Sequence, residues 1–154
     1  MNKGEFLIKY NVASQLANNA FSKLGLAAKK FTKAYAEQYS DLSDEEHFIR
    51  KDFAQIGEDK QAKKDQQGQL IMDSTKEKEF VAALKAWKKE PIGFELDKFT
   101  PVKIEGKLLF MSPAIYEELN GFVFDVSEED YLIAIEAEVE RQDKEAEEKA
   151  KKSK

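Results

Sequence analysis

His47 is the single histidine of this 154-residue chain, and Asp44 stands three residues before it, a spacing that lets a carboxylate and an imidazole share one helix face. With Glu46 beside them, these three are the one metal-ligating arrangement the sequence offers. A di-iron bundle needs two Glu-x-x-His pairs and further glutamates. The expectation is therefore a solvent-facing helix start whose acids are favoured by the helix dipole. Glu58, Asp59 and Asp65 lack the alternating spacing and glycine of a calcium loop. The absence of cysteine removes thiol catalysis, disulfides and cysteine-based metal sites. No Gly-x-Ser-x-Gly, Gly-x-Gly-x-x-Gly or Walker pattern occurs, and the seven glycines are scattered. Glu117 and Glu118 have no substrate-positioning motif beside them. The chain reads as non-enzymatic, with no catalytic, cofactor-binding or metal residues and no cofactor.

Charge is the next source of function. The formal net charge is −5, but residues 1–40 carry +4 and residues 117–148 hold thirteen acids against Arg141 and Lys144. Such an acidic stretch repels nucleic-acid phosphates and suits a basic partner, although a charge run is most often a solvated helix face. Lys29, Lys30 and Lys33 alternate with Phe31 and Tyr35 in the manner of single-strand binders. Helical geometry instead puts the two aromatics on a core face and the lysines toward solvent, so direct nucleic-acid binding is not expected. No stretch reaches the roughly 18 apolar residues of a membrane span. The first ten residues contain only three consecutive apolar ones, too few for a signal-peptide core, so a cytoplasmic site of synthesis is expected.

These residues must be positioned by elements that the apolar spacing outlines. Val12, Leu16, Ala20, Phe21 and Leu24 recur at helical intervals until Gly25 interrupts them, while residues 1–10 are ambiguous. A second stripe through Leu26, Phe31, Tyr35, Tyr39, Leu42, Ile49, Phe53 and Ile56 predicts a helix of roughly 30 residues. A capping box at Ser43 and Glu46 offers a restart inside it. Residues 57–73 form a polar, lysine- and glutamine-rich gap, read as a loop that is mobile or used for binding. Ser74 and Glu77 form a second capping box, opening a helix with Phe80, Ala83, Leu84 and Trp87 on one face, and Pro91 follows it. Helices flanking one loop predict a hairpin with residues 57–73 at its tip.

Beyond Pro91 the period changes to two. Ile92, Phe94 and Leu96, then Val102 and Ile104, alternate with polar residues ahead of a Glu105-Gly106 turn into residues 107–111, which predicts short antiparallel strands. Ser112 and Pro113 open a short helix that Asn120 and Gly121 end, and residues 122–126 return as a strand. Residues 131–139 alternate as a strand would, yet Ser127 to Asp130 reads as a helix start and the Ala and Glu content favours helix, the reading adopted. Past Val139 the chain has no large apolar residue, and Glu/Lys pairs four apart support a solvated helix that frays at its end. The chain is thus expected to be α+β and mainly α: a long helical hairpin, a small antiparallel β-sheet and a charged C-terminal helix. Residues 1–139 would form a single globular domain and 140–154 a charged helical tail. No internal repeat is visible.

The order of these features over residues 12–126 resembles small uncharacterised proteins encoded by tailed bacteriophages and prophages. It comprises the long helix of residues 26–56, the polar tip with Asp65-Gln-Gln-Gly68, the capped helix from Phe80 to Trp87, the alternating segments, and the Ser112 helix leading into Phe122-Val-Phe. Residues 127–154 depart from it as an extension. The resemblance carries no catalytic residues and implies a phage context with a non-enzymatic role. The expected function is protein binding in virion assembly, as an adaptor or chaperone-like factor. Its partner would be a phage structural or host protein, and its place the bacterial cytoplasm or the virion. A homo-oligomer is left open. The alternative is an acidic inhibitor that mimics nucleic acid toward a host DNA- or RNA-binding protein. Contact residues are expected at the basic tip, Lys60, Lys63 and Lys64, and on the acidic helix, Glu136, Glu138 and Glu140, two surfaces of opposite sign.

Overall fold

The first helix is set by a reciprocal cap. The Glu5 N–H donates to Asn2 Oδ1 at 2.8 Å and the Asn2 N–H donates to Glu5 Oε2 at 3.0 Å, satisfying two backbone donors at once. Helix α1 therefore runs Lys3–Asn18 and includes most of the residues whose pattern was ambiguous. The computed structural model of the chain describes residues 1–18, 22–104 and 112–152; Ala20 and Phe21, the turn at Glu105-Gly106 and the strand expected at 107–111 lie outside them. The remaining elements are α2 (Lys23–Ala34), α3 (Ala36–Asp52), a 3-10 turn (Ser74–Lys76), α4 (Glu77–Lys89), β1 (Thr100–Pro101), α5 (Pro113–Leu119), β2 (Phe124–Asp125) and α6 (Glu128–Lys152). The chain is mainly helical, and among the described residues no helix is long and apolar enough to cross a membrane.

Two of the expected helix boundaries move. Gly25 is not a breaker: Ser22 Oγ accepts its N–H at 3.1 Å, and it is buried inside α2. The stripe expected over 26–56 is broken at Tyr35, a single turn residue between α2 and α3. Tyr35 is buried there, 6.3 Å edge-on from Phe6 and 6.1 Å from Phe94, so the helix yields where an aromatic ring is seated. No restart occurs at Ser43, because Glu46 bonds forward to Arg50 at 2.6 Å and Glu45 is held by Lys3 and Trp87.

The chain divides into two compact units, each made of two segments. The first comprises Met1–Asn11 and Lys33–Glu95. Its core is Phe6, Leu7, Tyr35, Leu42, Ala54 and Trp87. Lys3, at the head of α1, reaches Glu45 on α3 at 2.7 Å and Glu90 after α4 at 2.8 Å, and Trp87 Nε1 donates to Glu45 at 2.9 Å. Only 15% of the Lys3 side chain is exposed. Burial opposes its charge, but the hydrogen bonds from its ammonium to Glu45 and Glu90 prevail and raise its pKa.

The second unit comprises Val12–Thr32 and Leu96–Lys154. Its core joins Leu16, Leu24 and Ala28 to Leu119, Phe124, Val126 and Ala134. The caps expected at Ser112 and Ser127 are present, accepting the N–H of Ile115 and Asp130. Of the segment 127–139, whose residues 131–139 alternate as a strand would, residues 128–139 are helical, as part of α6. Tyr116 ties the corner between α5 and α6: its hydroxyl donates to Val126 O at 3.1 Å and accepts from Asn120, and its ring stacks on Tyr131 at 3.8 Å.

The expected antiparallel sheet is overturned. β1 and β2 pair in parallel, Thr100 with Phe124 and Pro101 with Asp125, because α5 lies between them in sequence and returns the chain in the same direction. The alternating segment at 92–96 is not a strand. Its start is engaged by the beginning of the chain, with Lys3 N–H donating to Glu90 O at 2.8 Å and Asn2 bridging Pro91.

Antiparallel pairing appears instead in the polar gap. Gln55 N–H donates to Ile71 O at 2.8 Å, Ile71 N–H to Lys63 O at 3.0 Å, and Lys63 N–H to Gln55 O at 2.8 Å, so three residues spaced by eight close a ring of backbone hydrogen bonds. Outside the ring the same period recurs. Gly57 N–H bonds Gln61 O and Asp65 N–H bonds Gln69 O, while Asp73 N–H closes the third lobe onto Phe53 O. Lys60 and Gly68, again eight apart, take the left-handed position of their turns, at φ 62° and 79°. The third lobe opens into α4, capped by Asp73, which accepts from the Thr75 N–H at 3.0 Å, in place of the cap expected at Ser74.

Two outcomes follow for stability. A left-handed backbone costs a non-glycine residue roughly 1 kcal/mol, so Lys60→Gly should raise the urea midpoint and Gly68→Ala, whose added methyl meets no atom within 4 Å, should lower it by a comparable amount. Glu45, whose carboxyl is held below its usual 4.5 by hydrogen bonds from Lys3 and then Trp87, supplies a pH test. A depressed carboxyl pKa stabilises the fold above 4.5, and the contribution is lost as pH falls through the folded value. The loss of stability between about pH 5 and about pH 3, followed by urea titration, should be shallower in Glu45→Gln than in the parent.

Candidate protein-contact site

The last turns of α3 place Phe48 and Lys51 three residues apart on one helix face. Against this face stands the three-lobed turn. Ile56 is bridged to Ala62 across the first lobe and Lys64 to Leu70 across the second. Together Phe48, Ile56, Leu70, Lys51, Lys60 and Lys64 line an open groove of about 550 Å³. Phe48 is 62% exposed and Ile56 60%, and both line this one opening.

The wall of this groove is held by short-range bonds. Asp65 Oδ1 accepts the N–H of Gln67 at 2.9 Å and of Gln69 at 2.8 Å, and Asp59 Oδ1 accepts that of Gln61 at 3.0 Å. The other side of α3 is tied inward, with Phe53 against Phe80 at 5.8 Å and Arg50 over the Phe80 ring at 5.7 Å. Lys51, Lys60 and Lys64 outnumber Asp52 around the opening, so basic and apolar side chains line it together. Such a combination binds a partner that offers apolar side chains and acids together.

The expected site residues are distributed unevenly. Lys60 and Lys64 line the groove, whereas Lys63 belongs to the backbone ring and its exposed side chain is not among the lining residues. On α6, Glu136 and Glu140 are exposed, but Glu138 is committed: Arg141 donates to it at 2.7 and 2.9 Å and Gln142 at 2.9 Å. The bond from Arg141, then that from Gln142, lowers the Glu138 pKa to about 2. Arg141 also pairs with Glu145. Asp44 and His47 are exposed, Glu46 faces Arg50, and among the described residues no three His, Asp or Glu side chains gather closely enough to hold a metal ion.

Phe48 is not among the contact residues that the sequence predicts, and Ile56 falls in the predicted apolar stripe. The available signal was an aromatic residue one position off the Leu42, Ile49 and Phe53 face, which turns it about 100° away from the core. No protein-family model, curated protein or solved structure matches the chain.

Because Phe48 already faces solvent, Phe48→Ser should leave unfolding free energy within about 0.5 kcal/mol of the parent. Binding of a hydrophobic dye should fall in the same variant, and a large loss of stability instead would place Phe48 in the core.

Proposed function

We propose that the protein acts by binding other proteins, in an assembly, adaptor or chaperone-like role in a tailed phage or prophage, in the bacterial cytoplasm or on the particle. The observation that carries this reading is the exposure of Phe48 and Ile56, which line one groove whose wall is held by backbone bonding. Exposed apolar side chains rimmed by charge are the surface from which interface anchors are drawn. The phage context rests on the order of sequence features over residues 12–126. The reading as a nucleic-acid mimic has less support, since Glu138, one of its three acids, already carries Arg141.

Affinity capture from infected cells, set beside mass spectrometry of purified particles, tests the proposal. The parent should retain phage structural or host proteins, and Phe48→Asp together with Ile56→Asp should lose them while keeping the parent's helical circular-dichroism signal. Identical capture by parent and variant would reject the groove as the contact surface.

A further inference from the structure

Helix α6 leaves apolar side chains on its outer surface: Leu132 is 52% exposed, Ile133 46% and Val139 51%. They alternate with Glu129, Glu136, Glu140 and Asp143, which helical spacing of three and four places along the same stripe. This stripe offers apolar and acidic groups together. The groove on α3 suits that combination, with exposed Phe48 and Ile56 lining it beside Lys51, Lys60 and Lys64. The apolar side chains of each surface are exposed on the single chain. We propose that the groove receives the acidic, apolar stripe of α6 from a second copy of the same chain, so that the protein self-associates through unlike surfaces. The occupant follows from charge complementarity: residues 117–148 carry a balance of −11, against the three lysines and one aspartate at the groove.

The contact would be an amphipathic helix laid in a groove, with Leu132 and Val139, seven residues apart, as its anchors. Lysine–carboxylate pairs at its edge would speed encounter and fix register, and salt would weaken them. The inference rests on the protein-binding reading of the groove and adds the identity of the occupant. A groove on one surface and a ligand helix on another make the contact heterologous. Two copies close it if they exchange helices reciprocally, and an open chain of copies forms otherwise.

Reciprocal charge reversal tests it on the full-length protein. Sedimentation at low ionic strength should give a mass above one chain, falling as salt is raised. Lys60→Glu with Lys64→Glu, and separately Glu136→Lys with Glu140→Lys, should each weaken self-association by about tenfold or more. An equimolar mixture of the two variants should associate again, a recovery that unfolding of either variant could not produce. Because the chain has no cysteine, Gln61→Cys on one population and Val139→Cys on another supplies a second measurement, with a disulfide expected between the two kinds of chain. A monomer at all salt concentrations, association untouched by both reversals, or no recovery on mixing would overturn the inference. Capture of phage or host proteins that still depends on Phe48 in a monomeric protein would leave the protein-binding reading intact while removing this one.

Discussion

The ring of backbone hydrogen bonds through Gln55, Lys63 and Ile71 is the constraint on which the first unit depends. Each residue donates to one neighbour and accepts from the other, so the polar segment satisfies its backbone without side-chain burial or a conventional sheet. The same closure joins Asp73 to Phe53, bringing the end of α3 to the start of α4. Those two helices can then pack Phe53 on Phe80 and hold Glu45 beside Trp87. Loss of the ring would free some twenty residues of chain between the helices, and the entropy of that loop would oppose their packing. It would also dismantle one wall of the groove, where Ile56, Lys60 and Lys64 stand.

Much of the secondary structure was legible wherever a short-range signal dominates. Ser112 with Pro113, and Ser127 with Asp130, mark helix starts that depend on residues within one turn, and both are present. The Asn2–Glu5 cap was equally local, yet the apolar period around it was too irregular to expose it. Tyr35 illustrates the opposite case, since nothing in its own neighbourhood requires a break. The break serves a packing demand from Phe6 and Phe94, distant in sequence. The parallel pairing of β1 and β2 likewise depends on where α5 returns the chain, which alternation of residue types does not encode.

The eight-residue period of the lobes was hidden for a different reason. Backbone atoms carry the ring, and the positions they occupy are Gln, Lys and Ile, chemically unlike one another. Only the turn positions leave a trace, in Asp65 and Asp73 as acceptors and Gly68 in its left-handed turn. The candidate site was half legible on the same principle. Lys60 and Lys64 announce themselves by charge, but the apolar residues of the groove do not, because exposure of Phe48 and Ile56 is a property of the assembled unit.

Trp87 is the only tryptophan in the chain, 6% exposed, with its indole N–H bonded to the Glu45 carboxylate. The second unit has no tryptophan at all, and its stacked Tyr116 and Tyr131 are its aromatic landmark. The two units therefore differ optically. Light absorbed beyond the tyrosine band enters the molecule through one indole, whose emission colour follows the opening of the first unit alone. The near-ultraviolet dichroism of the tyrosines is shared, because Tyr10 and Tyr39 of the first unit stack as well, at 4.1 Å. The chain thus carries an intrinsic label for its first unit, and whether that unit melts together with the helical signal of the whole chain can be seen in the native sequence without attaching a dye.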